Sequence, residues 1–141
     1  MTRPPRDRRD RFRGYSRVVR TAPLTWHVPT SEEQVAQAVR GAHRLKVVGA
    51  GHSFSTVAAP EQHAMTLDRM PAAIRLDPDA RLVTVGAGTR LRDLSAALLT
   101  QGWALPVVGS IQAQAVAGAI ATGTHGSSLV HGNLVVRLLI S

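Results

Sequence analysis

Residues 46–55, Lys-Val-Val-Gly-Ala-Gly-His-Ser-Phe-Ser, run from a short apolar strand into a glycine turn with no helical pattern behind it. No other feature constrains the fold as much. A doubly wound dinucleotide fold needs its glycine turn to open into a helix whose N-terminus receives the pyrophosphate. Here Phe54 stands where the third glycine of that fingerprint belongs, residues 54–62 show no helical period, and Pro60 interrupts them. Nor does an acidic residue follow a second strand at the spacing a ribose ligand requires. The Rossmann reading falls, leaving an ordinary turn or an anion cradle. In a cradle, Gly49, Ala50 and Gly51 would point successive backbone N–H groups into one concavity, with Ser53 and Ser55 adding hydroxyls.

The surrounding pattern is mixed. Thr30-Ser31-Glu32-Glu33-Gln34 contains two overlapping capping boxes, Thr30 with Glu33 and Ser31 with Gln34. Val35, Ala38, Val39 and Ala42 then recur at helical spacing, predicting a helix that ends near Arg44. A strand is expected at 46–48 and another at 65–68. Residues 73–76 and 81–85 alternate around Asp77-Pro78-Asp79-Ala80 and predict a hairpin. A second helix is expected over 90–101, with Thr89 as N-cap, Leu91, Leu94 and Leu98 on one face, and Gly102 as its stop. A third, short and rich in small residues, falls within 113–121, and an apolar strand closes the chain over 134–140. Helices and strands alternate irregularly, so the expected class is α+β.

A second dense cluster follows the first. Gly109-Ser110 and residues 118–128, Gly-Ala-Ile-Ala-Thr-Gly-Thr-His-Gly-Ser-Ser, combine glycine, hydroxyls and a histidine but lack the lysine of a P-loop. Small residues admit a flat or charged ligand close to the backbone, and Thr122, Thr124, Ser127 and Ser128 offer hydrogen bonds. The other reading is a tight helix-to-loop packing contact. Two such cradles in one short chain favour a large phosphate-bearing cofactor.

Charge and composition exclude several classes. Of the formal net charge of +8, residues 1–20 supply +6 through eight arginines against Asp7 and Asp10. A Pro- and Arg-rich start predicts a solvated, disordered tail over 1–17. No aromatic-interleaved basic face follows it, so nucleic acid is not an expected partner. With no cysteine there is no disulfide, thiolate metal site or thiol catalysis. The six histidines show no i, i+4 zinc pair, and His27, His43 and His63 are expected to be surface or satisfied groups, so no metal is expected. No Gly-x-Ser-x-Gly elbow and no carboxylate pair is present. No run approaches a membrane span or a signal segment, so the cytoplasm is the expected compartment.

Three ordered stretches carry a resemblance. Val47-Val-Gly-Ala-Gly-His-Ser-Phe-Ser55, Val85-Gly-Ala-Gly-Thr-Arg-Leu-Arg-Asp-Leu94 and the run from Gly109 to Ser128 together resemble the FAD-binding domain (PCMH type) of vanillyl-alcohol-oxidase-type (VAO) flavoproteins. Within them the sequence is most similar to the sugar-1,4-lactone oxidases, L-gulonolactone and D-arabinonolactone oxidase, with alditol oxidases close behind. The resemblance covers residues 18–141 and implies the N-terminal portion of such a domain, truncated, with the substrate domain absent. It implies FAD as cofactor, a pyrophosphate loop formed by Val47, Val48, Gly49, Ala50, Gly51, His52 and Ser53, and His52 as covalent anchor to the flavin 8α-methyl carbon. It further aligns Ser110, Ala115, Gly118, Thr122, Gly123, Thr124 and His125 with residues holding the pyrophosphate and isoalloxazine side, although Ala115 replaces a serine often seen there. The implied activity is oxidation of a sugar lactone or polyol CH–OH group by hydride transfer to flavin, with dioxygen or another acceptor. The alternatives are a stand-alone FAD-binding module, an inactive truncated product, and a basic nucleic-acid-binding protein.

Overall fold

The computed structural model describes residues 11–134. The chain divides into two compact units, Met1–Arg69 and Met70–Ser141, each with its own apolar cluster.

In the first unit β1 (Phe12–Arg13) pairs antiparallel with β2 (Arg20–Thr21). The alternation that hides here among the arginines is a strand alternation. Phe12, 2% exposed, and Val19 point into a cluster with Val48, Ala59 and Ala64, while Arg11, Arg13 and Arg20 face solvent. The ordered fold therefore includes Phe12, well inside the tail expected over 1–17.

β3 (Thr25–His27) leads into α1 (Glu32–Gly41), then β4 (Leu45–Val47), then a 3₁₀ turn (Thr56–Ala58) and β5 (His63–Met65). Ser31 is the N-cap of α1, its hydroxyl accepting from Gln34 N at 3.3 Å, and the Gln34 amide oxygen accepts from Thr30 N at 2.8 Å. Of the two capping boxes the Ser31–Gln34 pair is the one used. Glu32 and Glu33 at the start and Arg40 at the end complement the helix dipole. The helix stops at Gly41 rather than near Arg44, because the Arg44 carbonyl is needed by His63 N (3.1 Å) as the chain enters β4.

The sheet order is β3-β5-β4, both pairs parallel, with α1 as the crossover that parallel strands require. β5 lies in the middle, and its Ala64 and Met65 are fully buried, as a central parallel strand demands. This strand begins two residues before the expected one. His27 and His63 sit on neighbouring strands and satisfy each other, Nε2 to Nδ1 at 3.1 Å.

The second unit opens with the predicted hairpin, β6 (Ile74–Asp77) against β7 (Leu82–Val85), whose turn is held by Ala80 N donating to the Asp77 carboxylate at 3.0 Å. α2 (Leu91–Leu99) buries Leu91, Leu94 and Leu98 against Ile74, Leu76, Val83, Val85 and against Val116 and Ala119 of α3 (Val116–Ala121). Each buried leucine contributes about 2 kcal/mol of apolar burial. Gly102, at φ +75°, ends α2 as expected, with Trp103 N reaching back to Leu98 O at 2.9 Å.

The expected Thr89 cap is not formed. Arg90 is the N-cap residue and makes no side-chain cap bond. Leu91 N and Arg92 N donate instead to the backbone carbonyls of Gln114 and Gln112, both at 3.0 Å. With those donors already paired the helix has no use for a hydroxyl, and Thr89 Oγ1 is buried without a hydrogen-bond partner among the described residues. The strand expected over 134–140 lies outside the described residues, Leu134 apart.

Candidate functional site

The first candidate loop leaves β4 at Val47. Val48 turns inward, 2% exposed, and its N–H closes onto Met65 O at 2.7 Å, which fixes where the strand ends and the glycines begin. Gly51 then takes φ +68°, a left-handed conformation that costs a residue with a Cβ and turns the chain sharply before His52. The residues after it make their own frame. Ser53 Oγ lies 3.1 Å from Ser55 Oγ and accepts from Ser55 N at 3.3 Å, and Ser55 Oγ caps the 3₁₀ turn by accepting from Val57 N at 3.4 Å. Lys46 Nζ donates to Val57 O at 2.8 Å, tying the far side of the loop back to its strand.

His52 is half-buried, with Nδ1 shielded from solvent. Its ring packs on that of Tyr15, centroids 4.6 Å apart and planes tilted by 35°, and Tyr15 N donates to Gly51 O at 2.7 Å. Phe54 meets Tyr15 edge-on at 6.5 Å. Tyr15 was not among the residues expected at the site; the aromatic pair Phe12 and Tyr15 standing around Gly14 in an otherwise charged stretch was the signal for it.

The second cluster belongs to the second unit, and most of its glycines serve the chain itself. α3 ends in a Schellman motif: Gly123, at φ +63°, donates to Ile120 O at 3.0 Å and Thr124 N to Ala119 O at 2.9 Å. Thr122 Oγ1 donates to Gly118 O at 3.0 Å. A Cβ on Gly126 would lie 2.6 Å from Val107 Cγ2 and 2.8 Å from Val108 O, and one on Gly109 would lie 3.1 Å from Thr124 Cγ2. These two glycines let segments 107–109 and 124–126 approach each other closely. The start of α3 is likewise closed by protein, Val116 N donating to Thr89 O at 2.8 Å and Ala117 N to Ala87 O at 3.2 Å. Ala115, 4% exposed, is bridged through its backbone to Arg90. Ser110, Thr122, His125, Ser127 and Ser128 are exposed, and His125 Nδ1 lies 3.0 Å from Gly126 O.

The two sets of expected residues thus lie one in each unit. Their chemistry fits a phosphate-bearing cofactor: the first set has a left-handed glycine, small neighbours and a serine pair of which one hydroxyl proton remains for a ligand, with an imidazole beside them. Among the described residues no three or more His, Cys, Asp or Glu side chains gather as metal ligands, and no helix is long and apolar enough to cross a membrane.

Over 129 residues the chain is 37% identical to D-arabinono-1,4-lactone oxidase of Eremothecium gossypii, covering 86% of this chain and 24% of that protein. It is 40% identical over 111 residues to alditol oxidase of a Streptomyces species, covering 77% of this chain and 27% of the relative. With L-gulonolactone oxidase of Scyliorhinus torazame it shares 30% over 132 residues, 91% of this chain and 30% of the relative. The chain therefore spans less than a third of the length of these relatives. Among solved structures, cholesterol oxidase from B. sterolicum superposes with a TM-score of 0.73 at 15% identity, over 83% of this chain and 24% of that one. That likeness shows the fold, which is the N-terminal portion of a VAO/PCMH-type FAD-binding domain. Residues 23–139 match the FAD binding domain family, and the chain belongs to that family, with FAD as its cofactor.

Proposed function

We propose that this chain is the FAD-holding portion of an oxidoreductase that oxidises a CH–OH group of a sugar lactone or polyol, with dioxygen or another acceptor taking the electrons. The likeness to lactone and alditol oxidases, 30–40% identical across most of this chain, carries the reading. When bound, FAD supplies the redox chemistry by accepting a hydride from the carbinol carbon. This chain's share is to hold and orient it.

In this reading Val47, Val48, Gly49, Ala50, Gly51 and Ser53 form the pyrophosphate loop, the left-handed Gly51 being the element that brings backbone N–H groups to face an anion. Ser110, Ala115, Gly118, Thr122, Gly123, Thr124 and His125 are assigned to the same cofactor. Gly118 and Gly123 act through the helix end they build, and Ser110 and His125 through their exposed polar groups. His52 would hold the cofactor covalently, through a bond from a ring nitrogen to the flavin 8α-methyl carbon, with dioxygen as the two-electron oxidant that such an attachment requires. The half-buried, ring-packed imidazole supports that role, since a held nucleophile needs less reorganisation than one swinging in solvent.

Acid precipitation tests the anchor. After loading with FAD, wild-type protein should carry yellow colour into the pellet and His52→Ala should leave it in the supernatant. Flavin released from the wild type as completely as from His52→Ala removes the covalent anchor.

A further inference from the structure

The arginine-rich start of the chain ends in a built feature. The β1–β2 turn is closed by Gly14 N donating to Val19 O at 2.9 Å and Arg17 N to Gly14 O at 3.0 Å, with Arg17 itself held left-handed at φ 64°. Phe12 anchors the hairpin in the core. At its tip Tyr15 grips two consecutive residues of the glycine loop, Gly51 by the backbone bond of 2.7 Å and His52 by the ring contact at 4.6 Å. Tyr15 is 58% exposed, so its own burial does not account for its position. An imidazole on a loop has a broad torsion about its last side-chain bond, and an aromatic face laid against it narrows that range.

We infer that Tyr15 is a positioning residue that sets the plane of the His52 imidazole, making the arginine-rich hairpin a working part of the cofactor site. As a statement about flavin attachment, this rests on the reading of His52 as the anchor. The contact uses the ring and the backbone of Tyr15, so the phenolic hydroxyl is dispensable while the aromatic face is not.

The test uses the full chain with Tyr15→Phe, which keeps the ring, and Tyr15→Leu, which keeps bulk and the backbone bond but removes the ring. Thermal unfolding confirms that each is folded. In proton NMR of the unloaded protein, the His52 ring C–H signals, identified by their loss in His52→Ala, should be displaced by the Tyr15 ring current. The displacement should persist in Tyr15→Phe and vanish in Tyr15→Leu. On mixing with FAD, the rate of acid-stable flavin attachment should be unchanged in Tyr15→Phe and fall about 100-fold in Tyr15→Leu, the cost of a nucleophile misplaced by about an ångström. A folded Tyr15→Leu with wild-type His52 signals and a wild-type attachment rate overturns the inference. Should wild-type protein attach no flavin, the anchor reading of His52 fails on its own. NOE contacts of the His52 ring protons with the rest of their loop, read in the unloaded protein, then decide Tyr15: altered in Tyr15→Leu and kept in Tyr15→Phe they uphold the positioning role, and unchanged in both they end it.

Discussion

The chain contains Gly-Ala-Gly twice, at residues 49–51 and 86–88, the first one residue after β4 and the second directly after β7, and the two have different structural consequences. The second is consumed by the fold. Gly86 N donates to Ala73 O and Gly86 O accepts from Thr89 N, both at 2.9 Å, and the carbonyls of Ala87 and Thr89 close the first donors of α3. A Cβ on Gly86 would collide with the Pro71 carbonyl oxygen. The first ends instead on a left-handed glycine followed by an imidazole, and the protein contacts that hold it come from Tyr15 at its side. Identical tripeptides thus become a helix-capping joint in one place and a candidate ligand loop in the other. The neighbours decide: Thr-Arg-Leu-Arg-Asp-Leu continues into a helix, whereas His-Ser-Phe-Ser does not.

If the second loop is a structural joint, damage to it should appear as lost stability. Gly86→Ala should lower the unfolding free energy by roughly 3 kcal/mol, since the colliding atom is backbone and cannot swing aside; denaturant unfolding reads this, and a change near zero would break the distinction. Gly51→Ala should cost less, about 1–2 kcal/mol, the penalty of one left-handed residue with a Cβ. The smallest effect has the opposite sign. Thr89→Val removes a buried hydroxyl with no hydrogen-bond partner among the described residues and should raise stability by about 1 kcal/mol; a loss of stability there would mean that the hydroxyl is bonded after all.

Locally encoded features were readable in advance. The leucine face of α2, the hairpin around Asp77, the Gly102 stop and the Ser31–Gln34 cap all depend on residues within a few positions of one another. Thr89 misled because the true cap of α2 comes from the carbonyls of Gln112 and Gln114, about which local sequence is silent. The β1–β2 hairpin was masked by charge: composition sees eight arginines, whereas the fold uses Phe12, Gly14, Tyr15 and Val19 between them. At the site the glycine loop and His52 were legible as a motif. Tyr15, which holds both Gly51 and His52, was not, because its partners lie across the sheet topology from it in sequence.

On the proposed reading, of the two Gly-Ala-Gly loops the one at 49–51 meets FAD. Titrating FAD into folded wild-type, Gly51→Ala and Thr89→Val proteins, with flavin fluorescence as the readout, tests it most directly. Thr89→Val should bind FAD with wild-type affinity and Gly51→Ala should lose about tenfold or more, equivalent to about 1.4 kcal/mol of binding. Wild-type FAD affinity in a folded Gly51→Ala protein would contradict it.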